Sequence, residues 1–137
     1  MRVGTPPVIA MTALDAALDV WDDVNLSDLR ARSVELTEAF IARVEAACPD
    51  LTLHSPRDPE RRGSQVGFRH PQGYAVMQAL IANGVIGDFR APDVLRFGFA
   101  PLYNDLDDVE RAVDTLSRIL RDESWNNEQF HKQAAVT

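Results

Sequence analysis

The hydrophobic pattern changes its period several times along the chain. Apolar residues recur at helical spacing from Val8 to Trp21, and again in a segment that Ser27 is expected to cap and that ends before Pro49. Alternation of apolar and polar residues then predicts short strands over 51–54 and 64–69. The first half is therefore expected to contain two helices followed by two strands.

The second half is predicted to contain a helix, two strands and a final helix. Its predicted elements are a helix that Pro71 opens and Asn83-Gly84 ends, strands over 85–90 and 94–100, and a helix capped by Asn104 or Asp105. This order is typical of an α+β layer. We predict an α+β fold with a small, mainly antiparallel sheet of about four strands and helices on one side. Residues 1–121 form the predicted domain, and residues 122–137 form a tail that loses its hydrophobic period and is partly disordered.

Composition and charge limit the kinds of protein that this chain can be and the partners that it can bind. A length of 137 residues and a hydrophobic content of 45% suit one folded domain. The net charge of −7, with no basic stripe, argues against nucleic acid and anionic membranes as partners. Because the sequence has neither a membrane-spanning apolar run nor a signal-peptide pattern, we expect a cytoplasmic protein. The single cysteine, Cys48, rules out an internal disulfide and is expected to be a small buried hydrophobe.

No complete catalytic or metal-binding set is recognisable. The three histidines lack the spacing of metal ligands, and none lies in a nucleophile arrangement with serine or cysteine. His70, next to Pro71, is interpreted as a helix-start residue. Arg61 and Arg62 are interpreted as part of an exposed loop. We therefore predict neither a catalytic residue nor a metal site in this chain.

One strand carries a charge at its centre. Leu95, Phe97 and Phe99 fall on one face of the predicted strand, while Arg96 falls on the other, beside Gly98. A guanidinium must reach water or an anion, and its planar fork suits a carboxylate. From the pattern alone, a solvated arginine on the wet face of the sheet is the commoner arrangement, and a carboxylate ligand is the alternative.

A second candidate anion site precedes the first helix. Gly4 and Thr5 lie just before a helix start to which Pro7 is suited, where free N–H groups and the helix dipole favour phosphate. An ordinary turn or cap role for Thr5 is the simpler interpretation. Taken by themselves, the residues predict no more than a soluble α+β domain with two candidate anion-binding positions.

Four segments, in their order along the chain, resemble the C-terminal part of kynureninases. They are Gly4-Thr-Pro-Pro-Val8, Arg62-Gly-Ser-Gln-Val66, Ile86-Gly-Asp-Phe-Arg90 and Leu95-Arg-Phe-Gly-Phe-Ala-Pro-Leu-Tyr-Asn104. The resemblance extends from about Arg2 to Leu120. This family belongs to the fold-type I pyridoxal-phosphate enzymes related to class V aminotransferases. Its members hydrolyse L-kynurenine to anthranilate and L-alanine in tryptophan catabolism.

The resemblance implies roles for particular residues. Arg96 matches the arginine that holds the α-carboxylate of the substrate, which is L-kynurenine or 3-hydroxykynurenine. Gly4 and Thr5 match a turn near the phosphate of pyridoxal phosphate, across the interface of a homodimer. Tyr103 and Asn104 complete the motif, and we expect them to pack the strand end and to cap the following helix.

The sequence also departs from the complete family pattern. A pyridoxal-phosphate enzyme needs a lysine for the Schiff base and an aspartate for the pyridine nitrogen, and both lie in the family's large domain. Lys132, the only lysine, does not match the cofactor lysine. The resemblance thus implies a C-terminal domain that is inactive without a large domain. Two alternatives stay open: a non-catalytic binding or assembly module, or the small domain of another class V enzyme such as a cysteine desulfurase.

Overall fold

The computed structural model of the chain describes Gly4 and residues 6–132. The helices are α1 (Val8–Leu18), α2 (Leu26–Ala47), α3 (Gly73–Ala82), α4 (Leu106–Arg121) and α5 (Glu128–His131). The strands are β1 (Thr52–Leu53), β2 (Gln65–Arg69), β3 (Asp88–Arg90) and β4 (Val94–Gly98). The predicted succession of helices and strands up to α4 is confirmed, and α5 is an addition to it.

The four strands form one sheet in the order β1-β2-β4-β3, and each neighbouring pair is antiparallel. Val66 and Phe68 of β2 and Leu95 and Phe97 of β4 are buried in a single core with residues of α2, α3 and α4. The helices therefore cover one face of the sheet. Alternate residues of β2 and β4 point to the opposite face, as the pleat of a strand requires.

Phe40 of α2 is at the centre of this core and is fully buried. Its ring centroid lies 4.9 Å from that of Phe97, 5.1 Å from that of Phe99 and 6.1 Å from that of Phe68. These distances and the tilted ring planes are those of favourable aromatic pairs. Phe40 thus fixes the inner faces of β2 and β4, and with them the direction of every outward-pointing side chain.

One of the predicted helix caps is confirmed by the structure and another is corrected. Asp105 accepts a hydrogen bond from the N–H of Asp108, whose carboxylate accepts the N–H of Asp105, so α4 begins with a capping box. The cap of α2 is Asn25, whose Oδ1 accepts the N–H groups of Ser27 and Asp28 at 2.8 and 3.3 Å. The prediction that Ser27 caps this helix is therefore wrong, because Asn25 starts the helix two residues earlier.

The third strand is shorter than predicted. It begins at Asp88 rather than Val85, because the N–H of Val85 bonds to the carbonyl of Leu80 and extends the end of α3. Gly87 follows, and a Cβ on it would lie 2.8 Å from the carbonyl oxygen of Arg96. Only glycine allows the backbone to approach β4 this closely, so Gly87 sets the start of the β3–β4 pair.

Arg62 corrects the interpretation of the loop before β2. Its side chain is only 2% exposed, and it donates to the carbonyl oxygens of Pro56 and Arg57 at 2.8 and 2.9 Å. It also forms an ion pair with Glu38 of α2. The prediction that both arginines of this loop are exposed is therefore wrong for Arg62 and right for Arg61.

The first helix forms as predicted but buries nothing. Every residue from 8 to 21 is exposed, including the stripe of Ile9, Ala13, Ala17 and Trp21 that the spacing placed on one face. Helical periodicity thus predicted the conformation of this segment correctly. It does not tell which surface, if any, the helix packs against. No helix in the described ranges combines the length and apolar character that a bilayer crossing requires.

The segment after α4 packs back onto the domain. The hydroxyl of Tyr74 in α3 donates to the carbonyl oxygen of Lys132 at 3.1 Å, and Trp125 and Phe130 are partly buried against the core. Residues 133–137 of the predicted tail lie outside the described residues. The division of the chain at residue 121 stays a prediction.

Candidate anion-binding site

Arg96 lies where the alternation of its strand placed it. Leu95 is fully buried and Phe97 is 5% exposed, so the predicted inward face is confirmed. Arg96, between them, points to the face of the sheet that the helices leave uncovered. The rigid, fully packed neighbours on either side hold its backbone in place.

The neighbours of Arg96 follow from strand register. Gly67 of β2 lies opposite Arg96 on one side, and Asp88 of β3 lies opposite it on the other. The missing side chain at Gly67 leaves room above the guanidinium on one flank. The carboxylate of Asp88 fills the other flank and forms an ion pair with Nη2 of Arg96.

Two further arginines lie in the adjoining row of the same face. Arg69 and Arg90 flank Val94, one on each neighbouring strand. Arg69 donates from Nε to Nδ1 of His54 at 3.1 Å, and its Nη1 lies 3.8 Å from Oδ2 of Asp93. Three arginines thus share this face with two aspartates, Asp88 and Asp93, which leaves it positively charged in a chain of negative net charge.

Arg96 is the most enclosed of the three arginines. Its side chain is 24% exposed, against 51% for Arg69 and 68% for Arg90. Its Nε is buried and makes no hydrogen bond with any described residue. A partly enclosed charge interacts more strongly with an incoming anion than a fully solvated one, because water screens it less. Arg96 is therefore the residue of this face best placed to bind a carboxylate.

A cleft of about 470 Å³ opens over these side chains. It is lined by His54, Ser55, Gln65, Gly67, Arg69, residues 90–94 and Arg96. The hydroxyl of Ser55 accepts the N–H of Gly67 at 2.8 Å and so fixes the β1–β2 side of the cleft. A Cβ on Gly67 would lie 3.2 Å from Cγ1 of Val94, so glycine keeps the floor of the cleft open.

Of the second predicted site, only Gly4 is among the described residues, and it is not part of this cleft. Gly4 is exposed, has a positive φ of 111° that favours glycine, and does not line the cleft of Arg96. Thr5 lies outside the described residues. Pro7, the N-cap residue of α1, offers no side-chain hydrogen bond, so the first N–H groups of the helix keep no side-chain cap. In the described part of the chain, no cluster of three His, Cys, Asp or Glu side chains is arranged to hold a metal ion.

In the last segment of the family resemblance, Asn104 has a structural role and Tyr103 does not pack against the core. Asn104 accepts the N–H of Ala100 at 2.8 Å and donates to Asp108 at 3.1 Å, so it fixes the turn from β4 to α4, while Asp105 is the cap. Tyr103 is 78% exposed. The expectation that its ring packs the strand end is wrong, because the turn points it away from the core.

Asp88, Arg69 and Arg90 were not singled out from the sequence. Their signal is the short turn over 91–93, which pairs Arg90 with Val94 and hence Asp88 with Arg96 in an antiparallel hairpin. Counting outward from that turn finds the ion pair. It requires knowing that β3 and β4 are neighbours, which alternation alone does not tell.

Removing the carboxylate of Asp88 is expected to strengthen anion binding at Arg96. Asp88→Asn removes a competing partner, and because the pair is partly exposed the gain is about threefold to fivefold in affinity. The measurement is a titration of the chain with acetate or L-alanine, followed by the NMR signal of the Arg96 side chain. Glu110→Gln, which makes the same charge change on the exposed side of α4, is the control. Weaker binding in Asp88→Asn would show instead that Asp88 holds Arg96 in position.

A second cleft of about 470 Å³ lies on another part of the domain, where Cys48, His70 and Trp125 are among its lining residues. Burial raises the pKa of the Cys48 thiol, which disfavours the thiolate that a nucleophile requires. The ring of His70 packs edge-on against Trp125, and its Nδ1 accepts the N–H of Gln72 at 3.1 Å. The interpretations of Cys48 as a buried hydrophobe and of His70 as a helix-start residue are confirmed.

His70 is expected to give the fold a pH dependence. Burial lowers the pKa of His70 below the ordinary 6.5, so the unfolded chain takes up the proton more readily than the folded one. Its contribution to stability is present above about pH 6.5 and is lost as the pH falls below it. Urea unfolding at pH 7.5 and 5.5 is expected to show a smaller difference in free energy for His70→Asn than for the native chain. An unchanged difference would mean that other groups cause the acid sensitivity.

A solved structure shares the architecture around this site. A NifS-like protein superimposes with a TM-score of 0.69 at 17% sequence identity, covering 88% of this chain and 36% of that one. This likeness defines the class of fold: an α+β domain of the kind found in NifS-like proteins, as predicted.

Sequence comparisons identify the family. The model of the kynureninase C-terminal domain matches residues 29–116. The kynureninases of Burkholderia mallei (strain SAVP1) and Burkholderia pseudomallei (strain K96243) are 49% identical over 136 residues, and that of Pseudomonas fluorescens is 45% identical. The chain therefore belongs to the kynureninase C-terminal domain family, which confirms the predicted resemblance to this family. It covers 33% of the length of these relatives, while 98% of it is matched.

Proposed function

We propose that this chain is the substrate-binding C-terminal domain of a kynureninase, the hydrolase that converts L-kynurenine to anthranilate and L-alanine. Kynureninases and NifS-like proteins are in general pyridoxal-phosphate enzymes, and the activity assigned here is that of an assembly with a large domain. The observation that carries the proposal is Arg96: an incompletely satisfied guanidinium at the centre of a positively charged cleft.

The part of Arg96 is to hold the α-carboxylate of L-kynurenine or 3-hydroxykynurenine. A charge-assisted, bidentate pair fixes both the position and the plane of a carboxylate. Fixing the carboxylate orients the Cα next to it, so the reacting bonds meet the catalytic groups of the large domain in one geometry. To admit substrate, Asp88 gives up part of its pairing with Arg96, and Gly67 leaves the opposite flank free.

The described residues do not fit pyridoxal phosphate by themselves. Lys132 lies beyond α5, is 74% exposed and pairs with Glu128 at 2.9 Å, so it is no candidate for the Schiff-base lysine. The large domain supplies that lysine, and the cofactor bound there provides the electron sink for the reaction. No catalytic residue is assigned to this chain.

Gly4 and Thr5 are proposed to lie near the cofactor phosphate of the partner subunit in a homodimer. In support, the first turn of α1 has no side-chain cap, and free N–H groups at a helix start suit a phosphate. Gly4 does not line the cleft of Arg96, which agrees with a role for this turn across a subunit interface. Localisation in the cytoplasm is proposed with this function.

Complementation tests the proposed function. The chain is mixed with pyridoxal phosphate and L-kynurenine, alone and after co-expression with the large domain of the Burkholderia mallei relative, and anthranilate is followed by its fluorescence. We expect no product from the chain alone and product from the assembly. Product from the chain alone would contradict the assignment of the cofactor lysine to the large domain. A folded assembly without activity would favour the alternative, a non-catalytic assembly module.

A further inference from the structure

The first helix of the chain is apolar on nearly all sides and entirely exposed. Of the eleven residues of α1, only Thr12 and Asp15 are polar, and they lie on one face because they are three residues apart. Ile9 is 88% exposed, Leu14 60% and Leu18 51%. Leu14 and Leu18 lie close together on one side of the helix, and Ile9 lies about 140–180° away from them, since successive residues turn by about 100°.

A helix with this pattern is unfavourable when it is fully exposed to water. A helix that is hydrophobic all round belongs in the interior of a protein or in a membrane. An 11-residue helix is too short for a membrane span, which needs about 20 residues. Pairing with the same helix of a second copy would cover only the facing side of each. An enclosing groove, which contacts several sides at once, accounts for the pattern better.

The acidic side chains around the helix indicate the charge that the rim of such a groove would carry. Residues 6–29 contain no lysine or arginine, and five aspartates: Asp15, Asp19, Asp22, Asp23 and Asp28. An anionic membrane surface would repel this segment. A protein groove with an apolar floor and basic residues at its rim would attract it.

The comparisons supply the partner. The model of the C-terminal domain begins at residue 29, after α1, whereas the kynureninase relatives match 98% of this chain and are about three times as long. The segment that contains α1 is thus shared with the relatives but lies outside the residues that the model of the C-terminal domain matches. It is expected to belong structurally with the part of the enzyme that this chain does not contain.

We infer that α1, with the 3-10 turn Asp19–Trp21 that follows it, docks into an apolar, basic-rimmed groove of the kynureninase large domain and anchors this chain to it. The inference rests on the proposed function for the identity of the partner. It is separate from the carboxylate clamp, because α1 contributes no residue to the cleft of Arg96.

The test compares two charge insertions on the same exposed helix. Leu14→Glu lies in the apolar arc, and Thr12→Glu lies beside Asp15 on the polar face. Neither contacts the core, so neither is expected to unfold the domain. Each variant is co-expressed with the large domain of the Burkholderia mallei relative. The dissociation constant of the complex and the amide hydrogen exchange of residues 9–18 are then measured.

We expect exchange over α1 to be fast in the isolated chain and at least about tenfold slower in the complex. Leu14→Glu should weaken association at least about tenfold, since it removes a buried leucine and buries a charge. Thr12→Glu should stay within about threefold of the native chain. If the large domain is not recovered folded, the same variants and exchange measurements are made in one polypeptide in which this chain replaces the matching third of the relative.

The possible results separate this inference from the proposed function. Equal affinity of Leu14→Glu and the native chain, or unprotected α1 amides in the complex, would overturn the docking of α1. So would self-association of the isolated chain that Leu14→Glu abolishes, since a second copy would then occupy the helix. A complex that depends on Leu14 yet forms no anthranilate would leave the docking intact and overturn the proposed function instead.

Discussion

Replacing Arg96 by glutamine is expected to lower kcat/KM for L-kynurenine at least about thirtyfold in the assembly with the large domain. The loss of a charge-assisted partner for an enclosed carboxylate costs about 2–5 kcal/mol, and each 1.4 kcal/mol is a factor of ten. Arg96→Lys keeps the charge without the planar fork, so its kcat/KM should fall between those of the native assembly and of Arg96→Gln. Steady-state rates of anthranilate formation over a range of substrate concentrations give the values.

Arg90→Gln is the matched control for this prediction. Arg90 lies on the same face of the sheet and adjoins the same aspartate, but it is far more exposed than Arg96. Its replacement is expected to change kcat/KM by no more than about fivefold, since exposed pairs contribute 0–1 kcal/mol. Equal losses for Arg90→Gln and Arg96→Gln would mean that the general positive charge of the cleft, rather than one clamp, attracts the substrate.

Replacing Arg62 by methionine is expected to destabilise the fold by about 2–4 kcal/mol. The methionine fills part of the space but leaves the carbonyl oxygens of Pro56 and Arg57 without a donor. Glu38 loses its partner as well, although its own side chain is about half exposed and returns to water at small cost. Because whole domains are stable by about 5–15 kcal/mol, this is a large fraction of the total.

Urea unfolding followed by circular dichroism measures this loss, and Arg61→Met is its control. Arg61 precedes Arg62 directly and is exposed, so its replacement should change stability by less than about 0.5 kcal/mol. A cost for Arg62→Met as small as that of Arg61→Met would show that the buried hydrogen bonds of the loop do not stabilise the fold.

These two arginines show what periodicity can and cannot predict. The face on which Arg96 lies follows from alternation with Leu95 and Phe97, which depends only on the pleat of one strand. The difference between Arg61 and Arg62 depends on which of them meets α2, and no local pattern distinguishes two consecutive arginines in a loop. Local geometry was therefore predictable, and the partner of a side chain in a distant element was not.

The ion pair of Arg96 and the exposure of α1 have the same explanation. Asp88 meets Arg96 only because β3 and β4 pair, and the sequence shows two strands without showing their order. The apolar stripe of α1 predicted a helix correctly, but no residue of α1 is buried against the described part of the chain. Each of these features depends on contacts that lie beyond the segment in which its signal occurs.

The measurement that tests the central claim most directly is a coupling between Arg96 and one group of the substrate. The assembly with native Arg96 and with Arg96→Gln is assayed for inhibition by L-kynurenine carboxamide and for turnover of L-kynurenine, which differ in the charge of the α-carboxyl group. If Arg96 is the carboxylate clamp, Arg96→Gln lowers kcat/KM for L-kynurenine at least about thirtyfold and changes the inhibition constant of the carboxamide by less than about threefold. Equal losses for both compounds would contradict the clamp, because Arg96 would then act on something other than the carboxylate.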